Sequence, residues 1–212
     1  MITIYGSDLS GPAVKVRCVA AYLGIEHTWQ FVNLREKEHK QEWFLKINPL
    51  GKIPAMDDGG FHLFESNAIC RYLADKIASP IYPKGLRQRA IVDQWVDFIT
   101  IHINVHCSTV NYARIFAPRF GNPVNEQAVA DALKFLDMYF PVLEKQLAAH
   151  KNVAGDDLTL ADFVLFAALE PAELAKLSLA AYPKIAAWRD HLKQQPFYTK
   201  NYKEYGESLV KK

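Results

Sequence analysis

"NPLGKIPAMDDGGFHLFESNAICRYLAD", residues 48–75, contains two short β-like runs, Ile53-Pro54-Ala55-Met56 and Phe61-His62-Leu63-Phe64, separated by Asp57-Asp58-Gly59-Gly60. Asp and Gly supply the unusual φ values of a tight reversal, so the two runs are expected to form a β-hairpin. Ser66 then opens a helix in which Ile69, Tyr72, Leu73 and Ile77 fall on one face. Pro54 enters the first strand without a backbone donor. A special geometry such as a cis peptide fits that position, and such a bond exposes the neighbouring backbone groups.

Toward the N-terminus, Ile2-Thr3-Ile4-Tyr5 is β-branched and aromatic, and Pro12 to Leu23 is an apolar-rich helical run that closes at Gly24, a natural C′ residue. Thr28 to Val32 alternates as a second strand, and the charged segment Arg35 to Gln41 leads to a short helical piece, Glu42 to Ile47. The order is βαβ with a parallel pair, then ββα, which is that of a thioredoxin-like α/β domain over residues 1–78. Ser79-Pro80 and Pro83 to Gly85 fill a linker at 79–85 with helix breakers.

Beyond the linker the texture is helical throughout: a long run from Leu86 to about Phe116, then Asn125 to His150, Thr159 to Leu169, Ala181 to Gln195 and, weakly, Phe197 to Ser208. Residues 86–212 are therefore expected to form an all-α helical bundle. One helix start is legible in detail. Thr159 serves as N-cap with Asp162 at N3, and Leu158 with Phe163 forms the flanking hydrophobic staple. Capping and dipole compensation account for Asp156, Asp157 and Asp162 without a metal.

Half of the 212 residues are hydrophobic, enough for a sizeable core. Against 23 acidic residues stand 25 basic ones, and the net charge of +2 excludes the electrostatic footprint of a dedicated nucleic-acid binder. Cys18, Cys70 and Cys107 lie in apolar periodic stretches, as buried free thiols do, which points to a reducing, cytoplasmic compartment. The chain opens on strand-like sequence rather than a basic leader, and no apolar run approaches the roughly 18 residues of a span, so neither a secretory signal nor a membrane segment is expected. His102 and His106 are spaced i,i+4 on a helix, but the acidic base of H-E-x-x-H is missing and no metal site is expected. No cysteine has a C-x-x-C partner.

The stretch 48–75 resembles the N-terminal domain of the glutathione transferase family, and the resemblance extends over nearly all of the chain, including "TLAD" at Thr159 to Asp162. In that family the hairpin proline is cis and the residue before it pairs through its backbone with the cysteinyl part of glutathione, which implies Ile53 and Pro54. The family's acidic-Ser pair for the γ-glutamyl end is here Glu65-Ser66. The chemistry agrees: a carboxylate accepts from the ammonium, while a hydroxyl and helix N-terminal amides suit the α-carboxylate. "EHKQEWF", residues 38–44, is similar to phi-class and related segments that place basic groups at the glycyl end, implying His39 and Lys40, with Lys52 beside them.

"LSGPAVKV", Leu9 to Val16, resembles the theta-like pattern in which a catalytic serine precedes Pro by two positions, which implies Ser10. By position Pro12 fits N1 and Gly11 the N-cap, leaving Ser10 one place outside the helix. Val14 stands where such families often carry Arg, Ser7 lies close enough to compete, and other classes of the family use an N-terminal tyrosine, here Tyr5. The resemblance further implies an electrophile pocket between the domains, with Leu9, Tyr112, Ile115, Phe116 and Phe120 as candidates, although bundle core is an equal reading of the helical ones. It implies a cytosolic, serine-type transferase of theta/phi-like character, homodimeric, that conjugates hydrophobic electrophiles in detoxification with glutathione as co-substrate and no cofactor. Glutathione-dependent peroxide or disulfide reduction, and a non-catalytic glutathione-binding, ligand-binding or interaction module, are the alternatives.

Overall fold

A computed structural model describes residues 1–172 and 174–200 and divides the chain into two compact units. The first runs from Met1 to Pro83 and is rejoined by the chain at Gln195; the second is Lys84–Gln194. The helical reading placed on 197–208 lies outside the described residues from 201 onward.

In the first unit the elements are β1 (Ile2–Gly6), α1 (Gly11–Tyr22), β2 (His27–Phe31), α2 (Glu42–Leu45), β3 (Ala55–Asp58), β4 (Phe61–Phe64) and α3 (Ser66–Lys76). They build a four-stranded sheet of order β2-β1-β3-β4, with β1 and β2 parallel and the other two pairings antiparallel. This is the thioredoxin-like α/β arrangement. β2 begins one residue earlier than its alternation suggests; Val32 leaves the ladder, is buried, and donates its N–H to the Gly6 carbonyl at 2.9 Å. The β3–β4 reversal places Asp58 opposite Phe61, so Gly59 and Gly60 alone make the turn, at φ of 64° and 95°. Two successive positive φ values are what a two-residue hairpin turn demands.

α3 buries Ile69, Cys70, Leu73 and Ala74. Two residues expected on that face do otherwise: Ile77 is exposed, and Tyr72 turns its hydroxyl to donate to Asp58 Oδ2 at 2.7 Å. Lys76 reaches the same oxygen at 2.6 Å, and these two hydrogen bonds hold the Asp58 carboxyl below the usual carboxylate range.

The second unit is helical: α4 (Leu86–Phe98), α5 (Val105–Asn111), α6 (Glu126–Ala149), α7 (Leu160–Leu169) and α8 (Pro183–Lys193). The long helix expected over 86–116 is continuous but not uniform. A π-helical stretch, Ile99–Asn104, joins α4 to α5, and a second, Tyr112–Phe116, follows α5 before a tighter 3₁₀ turn at Ala117–Phe120. Widened turns of this kind admit an extra residue per turn and shift which side chains face inward. Every residue of α7 is buried, which makes it the centre of this unit. A further turn of helix, α9 (Pro196–Thr199), belongs with the first unit, where the Phe197 ring meets Tyr22 edge-on at 6.1 Å. The described residues from Gln195 to Lys200 group with the first unit, and Phe197 and Tyr198 are buried. Among the described residues no helix is long and apolar enough to cross a membrane.

The α7 entry contains the buried carboxylate of Asp162. Its Oδ2 accepts from the Thr159 N–H at 2.8 Å and the Thr159 hydroxyl at 3.1 Å, and its Oδ1 from the Val153 N–H at 2.8 Å and Trp188 Nε1 at 3.2 Å. Burial pushes this carboxyl up to about 6 even though every one of these donors favours the charged form. Because the folded chain holds the proton more tightly than the ordinary value of 3.8 allows, this group's contribution to stability is greatest below pH 3.8 and is lost as pH rises through 6. Across that window the stability of the wild type should fall relative to Asp162→Asn by roughly 3 kcal/mol. Urea unfolding of both proteins at a series of pH values measures the difference, and parallel curves would refute it.

Candidate active site

Ala55 pairs with Tyr5 on β1 and with Phe64 on β4. Those two pairings bring the chain leaving β1 (Ser7 to Ser10), the chain entering β3 (Ile53-Pro54) and the chain leaving β4 (Glu65-Ser66) to one end of the sheet. The Ile53–Pro54 peptide is cis.

Ser10 is the N-cap of α1, with Gly11 and Pro12 as the first two helical residues. Its carbonyl accepts from the Val14 N–H at 2.9 Å and its hydroxyl oxygen from the Ala13 N–H at 3.4 Å. The positional reading that made Gly11 the cap is therefore corrected by one residue. Proline is tolerated at the second helical position for the reason it is tolerated at the first, since the N–H groups of the opening turn have no partner inside the helix. An accepting hydroxyl still has its own proton to donate. Ser7, by contrast, is only 5% exposed, and its oxygen accepts from the Leu9 N–H at 3.4 Å. Between them Asp8 receives a hydrogen bond from Arg17 Nη1 at 2.9 Å, and the same guanidinium lies 4.9 Å over the Trp29 ring. This strap ties the corner to α1 and β2. Tyr5 packs its ring at a tilt against Trp43 and edge-on to Phe44, and burial, then Asp57, pushes its phenol above the ordinary range. That makes it a poorer proton donor than an ordinary tyrosine.

On the other side of the cis peptide, buried Asn48 shapes the approach to β3. Its Nδ2 donates to the Lys52 carbonyl at 2.6 Å and its Oδ1 accepts from Leu50 N–H at 3.0 Å. Gly51 sits at φ 56°, and a Cβ there would lie 2.7 Å from the His39 carbonyl, so only glycine permits the approach. Lys40 closes this turn by donating from Nζ to the carbonyls of Leu50 at 3.2 Å and Gly51 at 3.0 Å. His39 and Lys40, on the 3₁₀ turn Glu38–Lys40, thus lie against Gly51, the residue before Lys52. Lys52 is exposed, whereas the Lys40 head is engaged by two carbonyls. Burial and neighbouring Lys40 lower the His39 pKa, and its Nδ1 is enclosed with no hydrogen-bond partner among the described residues.

Glu65 caps α3 at φ 68° and ψ 109°, a left-handed-side conformation unusual for a residue with a side chain. It is exposed, and Ser66 follows as the first helical residue rather than the cap. Sequence reasoning missed one residue beneath this turn. Lys15 on α1 is 6% exposed and donates from Nζ to Asn67 Oδ1 at the start of α3. Periodicity assigns a helical lysine to a solvated face, so nothing in the local pattern distinguishes it.

In the helical unit, Tyr112 is 56% exposed and Phe120 64%, while Phe116 is half-buried. Ile115 is 6% exposed and belongs to the bundle core. Tyr112 lines a cavity of about 460 Å³ with Ser108, Thr109, Ala113, Ala117 and Asn122. Leu9 is half-buried in the first unit. The i,i+4 histidines make ring contacts: His106 stacks on Phe135 at 4.6 Å and His102 meets Tyr139 at a tilt at 4.8 Å.

The glutathione S-transferase N-terminal domain model matches residues 2–75, and the glutathione S-transferase C-terminal domain model matches residues 106–196. The chain belongs to the glutathione S-transferase family. Among solved structures it resembles glutathione transferase F7 from Populus trichocarpa, at 26% identity and TM-score 0.90 over 99% of each chain. It also resembles a Nilaparvata lugens delta-class glutathione transferase, at 30% identity and TM-score 0.87 over 100% of this chain and 99% of that one. A third is glutathione S-transferase I from mais in complex with an atrazine glutathione conjugate, at 26% identity and TM-score 0.88, covering 99% and 98%. This chain is accordingly a glutathione S-transferase enzyme.

Capping gives Ser10 of this transferase a structural role that can be measured apart from any chemistry. Ser10→Ala should lose about 1 kcal/mol of stability and Ser10→Gly only a few tenths. Chemical unfolding of the two variants beside the wild type tests this, and equal losses would argue against the cap.

Proposed function

We propose that this transferase binds glutathione at the shared end of the sheet, with Ser10 donating its hydroxyl proton to the sulfur and so holding it as thiolate. The observation that carries the assignment is the place of the Ser10 hydroxyl, half-buried at the entrance of α1. Its oxygen accepts from Ala13, which leaves the proton for a ligand at the helix entrance, whereas Ser7 is buried. The sulfur of glutathione is the nucleophile, and Ser10 stays protonated throughout. Lowering a thiol from about 8.5 by roughly two units needs on the order of 2.7 kcal/mol of preference for the thiolate. A hydrogen bond to a charged partner contributes about 1.5–3 kcal/mol, and the α1 N-terminus adds up to roughly 1. The two together suffice.

The remainder of the tripeptide follows from the same arrangement. Glu65 accepts from the γ-glutamyl ammonium, and Ser66 with the first amides of α3 receives the α-carboxylate. The backbone of Ile53, presented by the Pro54 bond, pairs with the cysteinyl part. Lys52 and His39 serve the glycyl carboxylate, with Lys40 acting mainly through the turn it closes. The conjugate held by the mais enzyme supports a thioether-forming reaction with an apolar electrophile. In that reaction the thiolate forms the new carbon–sulfur bond as the leaving group departs with its electron pair. Exposed Tyr112 and Phe120, with half-buried Phe116, supply apolar surface of the kind such a substrate needs.

Conjugation of a chloronitrobenzene tests the assignment. Ser10→Ala should lower kcat/KM by about ten- to a hundredfold at neutral pH and recover as pH passes the free thiol value of about 8.5. Full activity in Ser10→Ala with loss in Ser7→Ala overturns it, and hydroperoxide reduction without conjugation would turn the reading toward a peroxidase.

We also propose a homodimer. Phe135, Met138 and Val142 on α6, and Ile101 and Val105 on the long helical run, are exposed apolar residues at helical spacing. Met138→Glu should shift the sedimentation coefficient toward the monomer; a wild type that sediments as a monomer at all concentrations overturns the proposal.

A further inference from the structure

We propose that Lys15 is a positioning residue: its buried ammonium, bonded to Asn67, locks the first turn of α3 against α1 and thereby sets the place of Glu65 and Ser66 relative to Ser10. The proposal rests on the reading that these residues hold glutathione. Lys15 lies five residues beyond the α1 cap, and a helical side chain points back toward the N-terminus of its helix. Its head reaches from the helix that Ser10 caps across to Asn67, the second residue of α3. A buried cation is costly unless it is bonded, and a purely apolar residue would pack here more cheaply. The charge faces Glu65, the Cys70 thiol and Arg71, all from α3 or its cap. Burial lowers the lysine to about 8, so the ammonium is present at neutral pH and is lost in the alkaline range. Losing it weakens a charge-assisted bond into an ordinary one.

Lys15→Met removes the charge at nearly constant length, and Lys15→Arg makes it permanent. In Lys15→Met the KM for glutathione should rise about five- to tenfold with kcat changed less than about twofold, the pattern of lost uniform binding. In the wild type that KM should rise above pH 8, and in Lys15→Arg the rise should disappear. Amide exchange at Ile69, whose N–H donates to the Glu65 carbonyl at 3.0 Å, and at residues 70–72 of the ligand-free protein should quicken in Lys15→Met, a readout that needs no glutathione. Unchanged KM and unchanged exchange in Lys15→Met overturn the role, as does an alkaline rise of equal size in Lys15→Arg; the arginine variant keeps the test valid if the methionine variant fails to fold. A wild type that does not bind glutathione in calorimetry overturns the site reading and this role together, and is recognised from the wild type alone.

Discussion

Ala55 is paired on both sides, with Tyr5 and with Phe64, and everything at the site depends on that double register. A slip of one residue in either ladder would send each buried side chain of β3 to the opposite face, so the core and the site are fixed by the same constraint. Neighbouring strands stand about 4.8 Å apart. From the exit of β4 through β3 to the exit of β1 is two such steps, or roughly 10 Å. The proposed attachment points, Glu65-Ser66 for the γ-glutamyl end, Ile53 for the cysteinyl backbone and Ser10 for its sulfur, are therefore brought to one edge by the sheet itself.

Both units bury a charge at a helix start, and the two cases differ in what they accomplish. Asp162 accepts from a strand-like loop, from its own cap and from Trp188 on α8, so one carboxylate joins three segments of the helical unit. Its bonds are all internal, and its role is complete without a ligand. Lys15 joins only two helices, and the turn it steadies carries exposed Glu65. A buried ion is weak grounds for stability because desolvation offsets the attraction. Retaining one next to a polar turn makes sense where geometry, not stability, is what the charge secures.

The hairpin and the α7 entry were legible because each is encoded within a few residues: Gly59-Gly60 permits one turn type, and Thr159 with Asp162 satisfies each other's backbone. The same local reading placed the α1 cap one residue late, since Ser, Gly and Pro in succession fit two registers and only the Ala13 N–H decides between them. Long-range partners were out of reach. Nothing near Asp162 in the sequence announces Val153 or Trp188, and nothing near Lys15 announces Asn67. Phe197 packs on the first unit because Tyr22 offers it an aromatic edge there, a contact between residues at opposite ends of the chain. Ile115 was ambiguous for another reason. The π-helical stretch around it alters the angular spacing on which a face assignment rests, and the residue turns inward.

A serine that caps a helix and also donates to a thiolate uses different parts of one hydroxyl. The capping bond engages a lone pair and fixes the Oγ position, leaving rotation of the O–H as the remaining freedom. Most of the ordering cost of a catalytic hydrogen bond is thereby met when the protein folds rather than when the ligand binds. The Asp8–Arg17–Trp29 strap acts in the same direction by restraining the backbone just before the cap. Ser7 accepts from the Leu9 N–H in the same way but is buried, so presenting its proton to a ligand would require opening that corner. In the proposed reading, two serines three residues apart are distinguished by burial and by which of them the helix needs for its own first turn.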